Sequence, residues 1–155
     1  MSNQQLINDK LINTLPADVV TRLSLAGVDI GLIQQAKIQV NTNLSKLITK
    51  IFGSAATTFG YTIYADGSSI SFYSIYGLGL IAHELIHIDQ WKQEGLFYLI
   101  KYIGEFLKYG LISIIKRIKR ENLPPHWVHD QISYEKQAIA HEENVQKALR
   151  RALNG

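Results

Sequence analysis

Apolar positions recur along this chain with two different rhythms. Leu44, Leu47, Ile48 and Ile51 fall three and four residues apart, the spacing that lines one face of a helix, and Gly53 closes the run. Two shorter segments upstream also read as helices. Thr14-Leu15-Pro16-Ala17-Asp18 has the make-up of a helix start, with Thr14 or a neighbour as cap, proline in the first turn and an acid near the positive end of the dipole. Gly27 stops that helix, and Ile30 to Lys37 forms the next.

The rhythm changes at Ala55. Ala56 to Ala65 is rich in β-branched and aromatic residues, Asp66-Gly67 is a turn signal, and Ser69 to Tyr73 alternates polar with apolar. The two runs predict a hairpin with one face buried. Helical spacing returns after Gly77 and Gly79, holds to about Gln93 and stops at Gly95. It resumes from Leu96 to Arg120, with Gly104 and Gly110 as breaks. Pro124-Pro125 then forces a loop carrying His126, Trp127, His129 and Asp130, and a last helix runs from about Tyr134 to Leu153. This order predicts an α+β fold, mostly helical, with one small hairpin. No repeat or linker divides it, so residues 1–155 read as a single domain.

Leu96 to Ile118 is long enough to cross a bilayer at about 1.5 Å per residue. Lys101, Glu105, Lys108, Lys116 and Arg117 interrupt it, and each charge at bilayer depth costs roughly 2.5 kcal/mol or more. The segment therefore reads as one or two buried or amphipathic helices folded against the domain, with Lys116, Arg117, Lys119 and Arg120 as a solvated helix end. The competing reading is a helix lying on a membrane surface.

Composition narrows the chemistry. The chain has 155 residues, and a domain of that size buries roughly 70% of the surface its unfolded form exposes, so it folds without covalent staples. Cysteine is absent, which excludes disulfides, thiolate metal sites and cysteine nucleophiles and leaves imidazole and carboxylate as metal donors. A formal net charge of +3 is too small and too dispersed to make nucleic acid the expected partner. Residues 1–5 lack the basic and apolar regions of a secretion signal, which predicts cytoplasmic synthesis.

Within the predicted helix that ends near Gln93, His83-Glu84-Leu85-Ile86-His87 matches H-E-x-x-H. Residues four apart share a helix face, so both imidazoles reach one Zn2+ at about 2.0 Å, while Glu84, one residue on, stands clear of the metal and serves as general base. A third ligand has to come from elsewhere. Position 93 is glutamine and Asp89 points to another face, which leaves Glu135, His141, Glu142 and Glu143 on the last helix and His126 and His129 before it. Glu135 is favoured, because Glu135, Ala138 and Glu142 share a face and the small Ala138 permits close approach to the motif helix. His126, His129 and Tyr134, close in sequence to Glu135, are candidates for stabilising an oxyanion.

Ala55-Ala56-Thr57-Thr58-Phe59-Gly60-Tyr61-Thr62-Ile63-Tyr64 and Leu80-Ile81-Ala82-His83-Glu84-Leu85-Ile86-His87-Ile88-Asp89-Gln90 together resemble a bacterial metallopeptidase domain family of unknown substrate, gluzincin-like, encoded beside extracellular contractile injection systems. The family pattern is T-x-G-x-x-I-aromatic followed by L-x-A-H-E-L-x-H-x-x-Q. A third motif, E-x-x-A-[DN], falls on Glu135 and Ala138, with Ile139 in place of its polar residue. The resemblance implies a zincin-like fold with a small sheet beside the motif helix, whose edge strand, Tyr61, Thr62, Ile63, Tyr64 and Ala65, pairs with an extended peptide. It implies zinc held by His83, His87 and Glu135, a protein or peptide substrate, and a role as injection-system component or exported cargo. Hydrolysis with Glu84 as base is the function expected. The rivals are a catalytically silent docking module for such cargo, which the intact Glu84 argues against, and the membrane-surface protein.

Overall fold

The computed structural model describes residues 7–52, 54–67 and 71–154. Among them the order of elements is β1 (Ile7–Lys10), α1 (Leu11–Thr14), α2 (Ala17–Leu25), α3 (Ile30–Gln35), β2 (Lys37–Val40), α4 (Asn43–Phe52), β3 (Ala56–Phe59), β4 (Thr62–Ala65), α5 (Ile75–Glu94), α6 (Leu96–Ile118), α7 (Trp127–Gln131) and α8 (Ser133–Asn154). The fold is α+β and mostly helical, as the spacing predicts.

The strands form one sheet in the order β1-β2-β4-β3. β1 runs antiparallel to β2, β2 parallel to β4, and β3 antiparallel to β4. Ile38, Val40, Ile63 and Ala65 point alternately into one core with Leu11, Leu23 and Ile33 from the small helices and Ile81, Leu85 and Ile88 from α5. α5 is buried on most of its circumference, and α8 packs along it more extensively than any other helix does. Ala138 is fully buried, and the Gln146 side chain lies over Gly79, where a Cβ would collide with it. Small residues at both places let the two backbones close on each other.

Several elements depart from expectation. The helix predicted to Lys37 ends at Gln35, and Lys37-Ile38-Gln39-Val40 forms β2, whose polar and apolar alternation is a strand signal that the apolar helix before it masks. The hairpin turns at Gly60-Tyr61, not at Asp66-Gly67, because Gly60 supplies the positive φ of +60° that a tight two-residue turn uses. Ser69 and Ile70 lie outside the described residues, and Ser71 to Tyr73 form no strand but lead into Ser74, whose hydroxyl caps α5 by accepting from the Gly77 N–H at 2.9 Å. Gly77 and Gly79 are therefore inside α5. Gly53 also lies outside the described residues.

α6 is one unbroken helix through Gly104 and Gly110, and the loop after Pro125 contains α7. Gly95, at φ +56°, turns the chain between α5 and α6 in a conformation that other residues resist. α6 packs on the domain through its tyrosine face, but its aliphatic residues are not the core that the buried reading expects. Only Tyr98 and Ser113 of α6 are buried, while most of its aliphatic residues face outward.

Candidate metal centre

α5 presents His83 and His87 one turn apart, and the first turn of α8 brings Glu135 against them; all three side chains are buried. The three atoms that meet form a near-equilateral triangle. His83 Nε2 is 3.2 Å from His87 Nε2, and Glu135 Oε2 is 3.2 Å from each. Tetrahedral ligands about 2.0–2.1 Å from one zinc are themselves separated by about 3.3–3.4 Å, so the triangle has the dimensions of three ligands with a fourth position open.

The hydrogen bonds behind the rings say which nitrogens carry protons. The Gln90 side-chain nitrogen donates to the Tyr134 carbonyl at 3.1 Å and to Gln137 Oε1 at 3.2 Å, which leaves Gln90 Oε1 as the acceptor facing His87 Nδ1 at 2.8 Å. His87 Nδ1 therefore donates, which leaves Nε2 as the ring nitrogen that faces His83 and Glu135. His83 Nδ1 lies 3.2 Å from Glu142 Oε2, close enough for an ionic contact but off the line of a hydrogen bond. This placement also favours the proton on Nδ1. With a cation bound, both Nε2 lone pairs and the Glu135 carboxylate oxygen would face one point; without one, a proton on His83 Nε2, facing Glu135 Oε2 at 3.2 Å, takes the place of the positive charge.

The electrostatics express the same demand. Burial by itself would lower the His83 pKa, but the Glu135 and Glu142 carboxylates and the nearby Glu84 charge outweigh it and raise it to about 10. Burial would raise Glu135, yet the hydrogen bonds from His129, His83 and His87 hold it well below the usual carboxylate range. Two imidazoles and a carboxylate, without sulfur, suit zinc and other first-row divalent ions.

Glu84 is buried next to His83 in sequence, and its Oε2 accepts a 2.7 Å hydrogen bond from the Thr58 hydroxyl on β3. From α6, the Tyr102 hydroxyl donates to Glu135 Oε1 at 2.7 Å, and the Tyr98 hydroxyl lies 3.2 Å from His87 Nδ1. Burial and the Glu135 charge push both phenols up, so they remain neutral. Thr58, Gln90, Tyr98 and Tyr102 carry no predicted role. Thr58 and Gln90 stand inside the two quoted motifs, and Tyr98 and Tyr102 share a face at a spacing of four in an otherwise aliphatic segment.

The remaining candidates separate cleanly. His129 joins the site, its Nε2 being 3.0 Å from Glu135 Oε2 with the side chain 44% exposed. It stands outside the ligand triangle, because the cluster of mutually close donors contains only His83, His87 and Glu135 among the described residues. His126 is exposed at the cap of α7, with no hydrogen bond or ion pair to the cluster among the described residues. The Tyr134 hydroxyl donates instead to Glu94, so its contribution is the carbonyl that orients Gln90. Glu142 backs His83 from Nδ1 rather than joining the triangle, and Glu143 pairs with Lys147 at 3.5 Å on the exposed side. Tyr61, Thr62, Ile63 and Tyr64 do not form an edge. Tyr61 is in the hairpin turn, and β4 is hydrogen-bonded on both sides, to β2 and β3. The edge next to the site is β3, Ala56–Phe59, whose Thr58 touches Glu84.

Searches against protein-family models, curated proteins and solved structures return no match for this chain.

Proposed function

We propose that the chain is a metal-dependent peptidase of zincin-like organisation, with His83, His87 and Glu135 as ligands and Glu84 as general base. The observation that carries this reading is the 3.2 Å triangle of two imidazole nitrogens and one carboxylate oxygen, with a second buried carboxylate, Glu84, beside it. A structural metal site has no use for that second carboxylate, and burying it without a task is costly.

Zinc, when bound, would supply Lewis acidity to a scissile carbonyl and to the attacking water. Glu84 takes the proton from the water as its oxygen attacks the carbonyl carbon, and returns it to the amine as the C–N bond breaks. Thr58 holds Glu84 by one oxygen. His129, partly exposed at the rim, donates toward the oxygen on which negative charge develops. β3 supplies the unpaired strand edge beside the site along which an extended peptide would lie. The resemblance to injection-system-associated domains extends the proposal to a cargo or component of such a system.

Metal analysis combined with Glu84→Gln tests the reading. The purified protein should hold about one metal ion per chain, and the variant should keep the ion while losing cleavage of a peptide library, since an amide neither accepts nor returns the proton. A metal-free protein, or a variant that cleaves as fast as wild type, would refute it.

A further inference from the structure

α6 has two apolar faces, and only one is used by the fold. Tyr98, Tyr102 and Tyr109 pack with Trp91, Ile132 and Tyr134 into a second core cluster next to the metal centre. On the opposite side, Leu96, Ile100, Ile103, Leu107, Leu111, Ile114 and Ile118 are each 48% to 75% exposed. Their spacing of four, three, four, four, three and four keeps them within one narrow stripe over six turns, roughly 33 Å long. No charge interrupts it. Contiguous apolar surface on this scale marks an interaction site.

The charges beside the stripe indicate what covers it. Between Leu96 and Arg120 the chain carries six cations, of which Lys101 and Lys116 pair with Glu94 and Glu121 at 2.9 and 3.0 Å, and one carboxylate, Glu105. That carboxylate is turned away from the stripe and accepts from the Ser133 backbone and hydroxyl. Lys108 and Lys119 fall on one shoulder of the stripe and Arg117 on the other, about 90–110° from its centre by helical geometry. A second copy of the same face would set these cations against cations, while the flanking acids, Glu94 and Glu121, are already engaged by Lys101 and Lys116. An anionic bilayer surface meets both features: the convex stripe sinks to the acyl boundary, and long basic side chains extend to the headgroups. No described helix is long and apolar enough to cross a membrane.

We propose that α6 seats this protein on anionic lipid bilayers, lying in the plane of the interface through its Leu96-to-Ile118 stripe. The inference is independent of the metal chemistry, and Glu84→Gln should bind vesicles as wild type does. Flotation with phosphatidylcholine vesicles, with and without phosphatidylglycerol, provides the test. The full chain should float with the phosphatidylglycerol vesicles. Replacing Lys108, Arg117 and Lys119 together by Gln should weaken that partitioning on the order of 100-fold. Leu107→Ser with Leu111→Ser, both exposed and therefore tolerated by the fold, should abolish it, with thermal melting and metal content unchanged. Wild-type protein that stays with the dense fraction, or variants that float equally well, would overturn the proposal. So would a concentration-dependent dimer, seen by light scattering and dissolved by the two serines, in protein that ignores vesicles.

Discussion

The Thr58 hydroxyl donates to Glu84 Oε2 at 2.7 Å, joining the edge strand β3 to the helix that carries His83 and His87 across 26 residues of sequence. A carboxylate that must receive and return a proton depends on where its free oxygen points, and this bond fixes it. Thr58→Val keeps the shape and removes the donor. Peptide cleavage should fall about 10–100-fold in kcat with metal content unchanged, and Thr58→Ser should restore it. Equal loss in the valine and serine variants would mean that packing, not the hydrogen bond, is what matters.

Gln90 plays the corresponding part for His87. Its Oε1 accepts a hydrogen bond from the Nδ1–H at 2.8 Å while its amide nitrogen donates to the Tyr134 carbonyl on α8. Gln90→Leu leaves a buried Nδ1–H without that acceptor and frees the ring to turn. Metal affinity, measured by chelator competition, should drop about 10–100-fold. An unchanged affinity would remove Gln90 from the site.

How far the site was readable depended on whether its parts lie on one element. His83, Glu84 and His87 are set by helical spacing alone, so their placement follows from the sequence. Glu135 was reachable through the Ala138 face that packs on α5. Thr58, Tyr98 and Tyr102 reach the cluster from separate elements, and no periodicity within β3 or α6 fixes how those elements dock. α6 shows the same limit from the other side. Its aromatic and aliphatic faces are both apolar, and only the packed structure reveals that the aromatic face is buried and the aliphatic face is not. The hairpin register was misplaced because Asp66-Gly67 and Gly60-Tyr61 are both good turns, and the pairing of β4 with β2 decides between them.

Proton release offers a measurement that needs no substrate. Without a metal, burial is outweighed by the Glu135 and Glu142 carboxylates, which raise the His83 pKa from its ordinary 6.5 to about 10, so at pH 7.5 the ring should be protonated and must shed that proton to bind a metal. Calorimetry in two buffers of different ionisation enthalpy should show about one proton released per zinc at this pH. The sign follows from the raised pKa: apparent affinity climbs as pH rises toward about 10. The same proton stabilises the metal-free fold fully below 6.5, and that contribution is lost as pH rises through about 10. Zinc binding without proton release at pH 7.5 would contradict the assignment of His83.

Glu135 and His129 are 3.0 Å apart and exchange a hydrogen bond, yet substitution should separate their roles. Glu135 is buried and its Oε2 is equidistant from both α5 imidazoles, the position of a third ligand; His129 is partly exposed and touches only the carboxylate of that set. Glu135→Ala should therefore lower metal affinity by more than the roughly 10–100-fold of an outer-shell change. It should also remove a carboxylate that raises the His83 pKa, so the metal-free variant should protonate His83 less readily. His129→Ala should keep the metal, and if its imidazole donates to a developing oxyanion, kcat should fall about 10²–10³-fold with little change in KM. His126→Ala and His141→Ala, outside the triangle, should leave metal content unchanged. Loss of the metal in His129→Ala with retention in Glu135→Ala would move the third ligand from α8 to α7 and leave Glu135 as its hydrogen-bond partner.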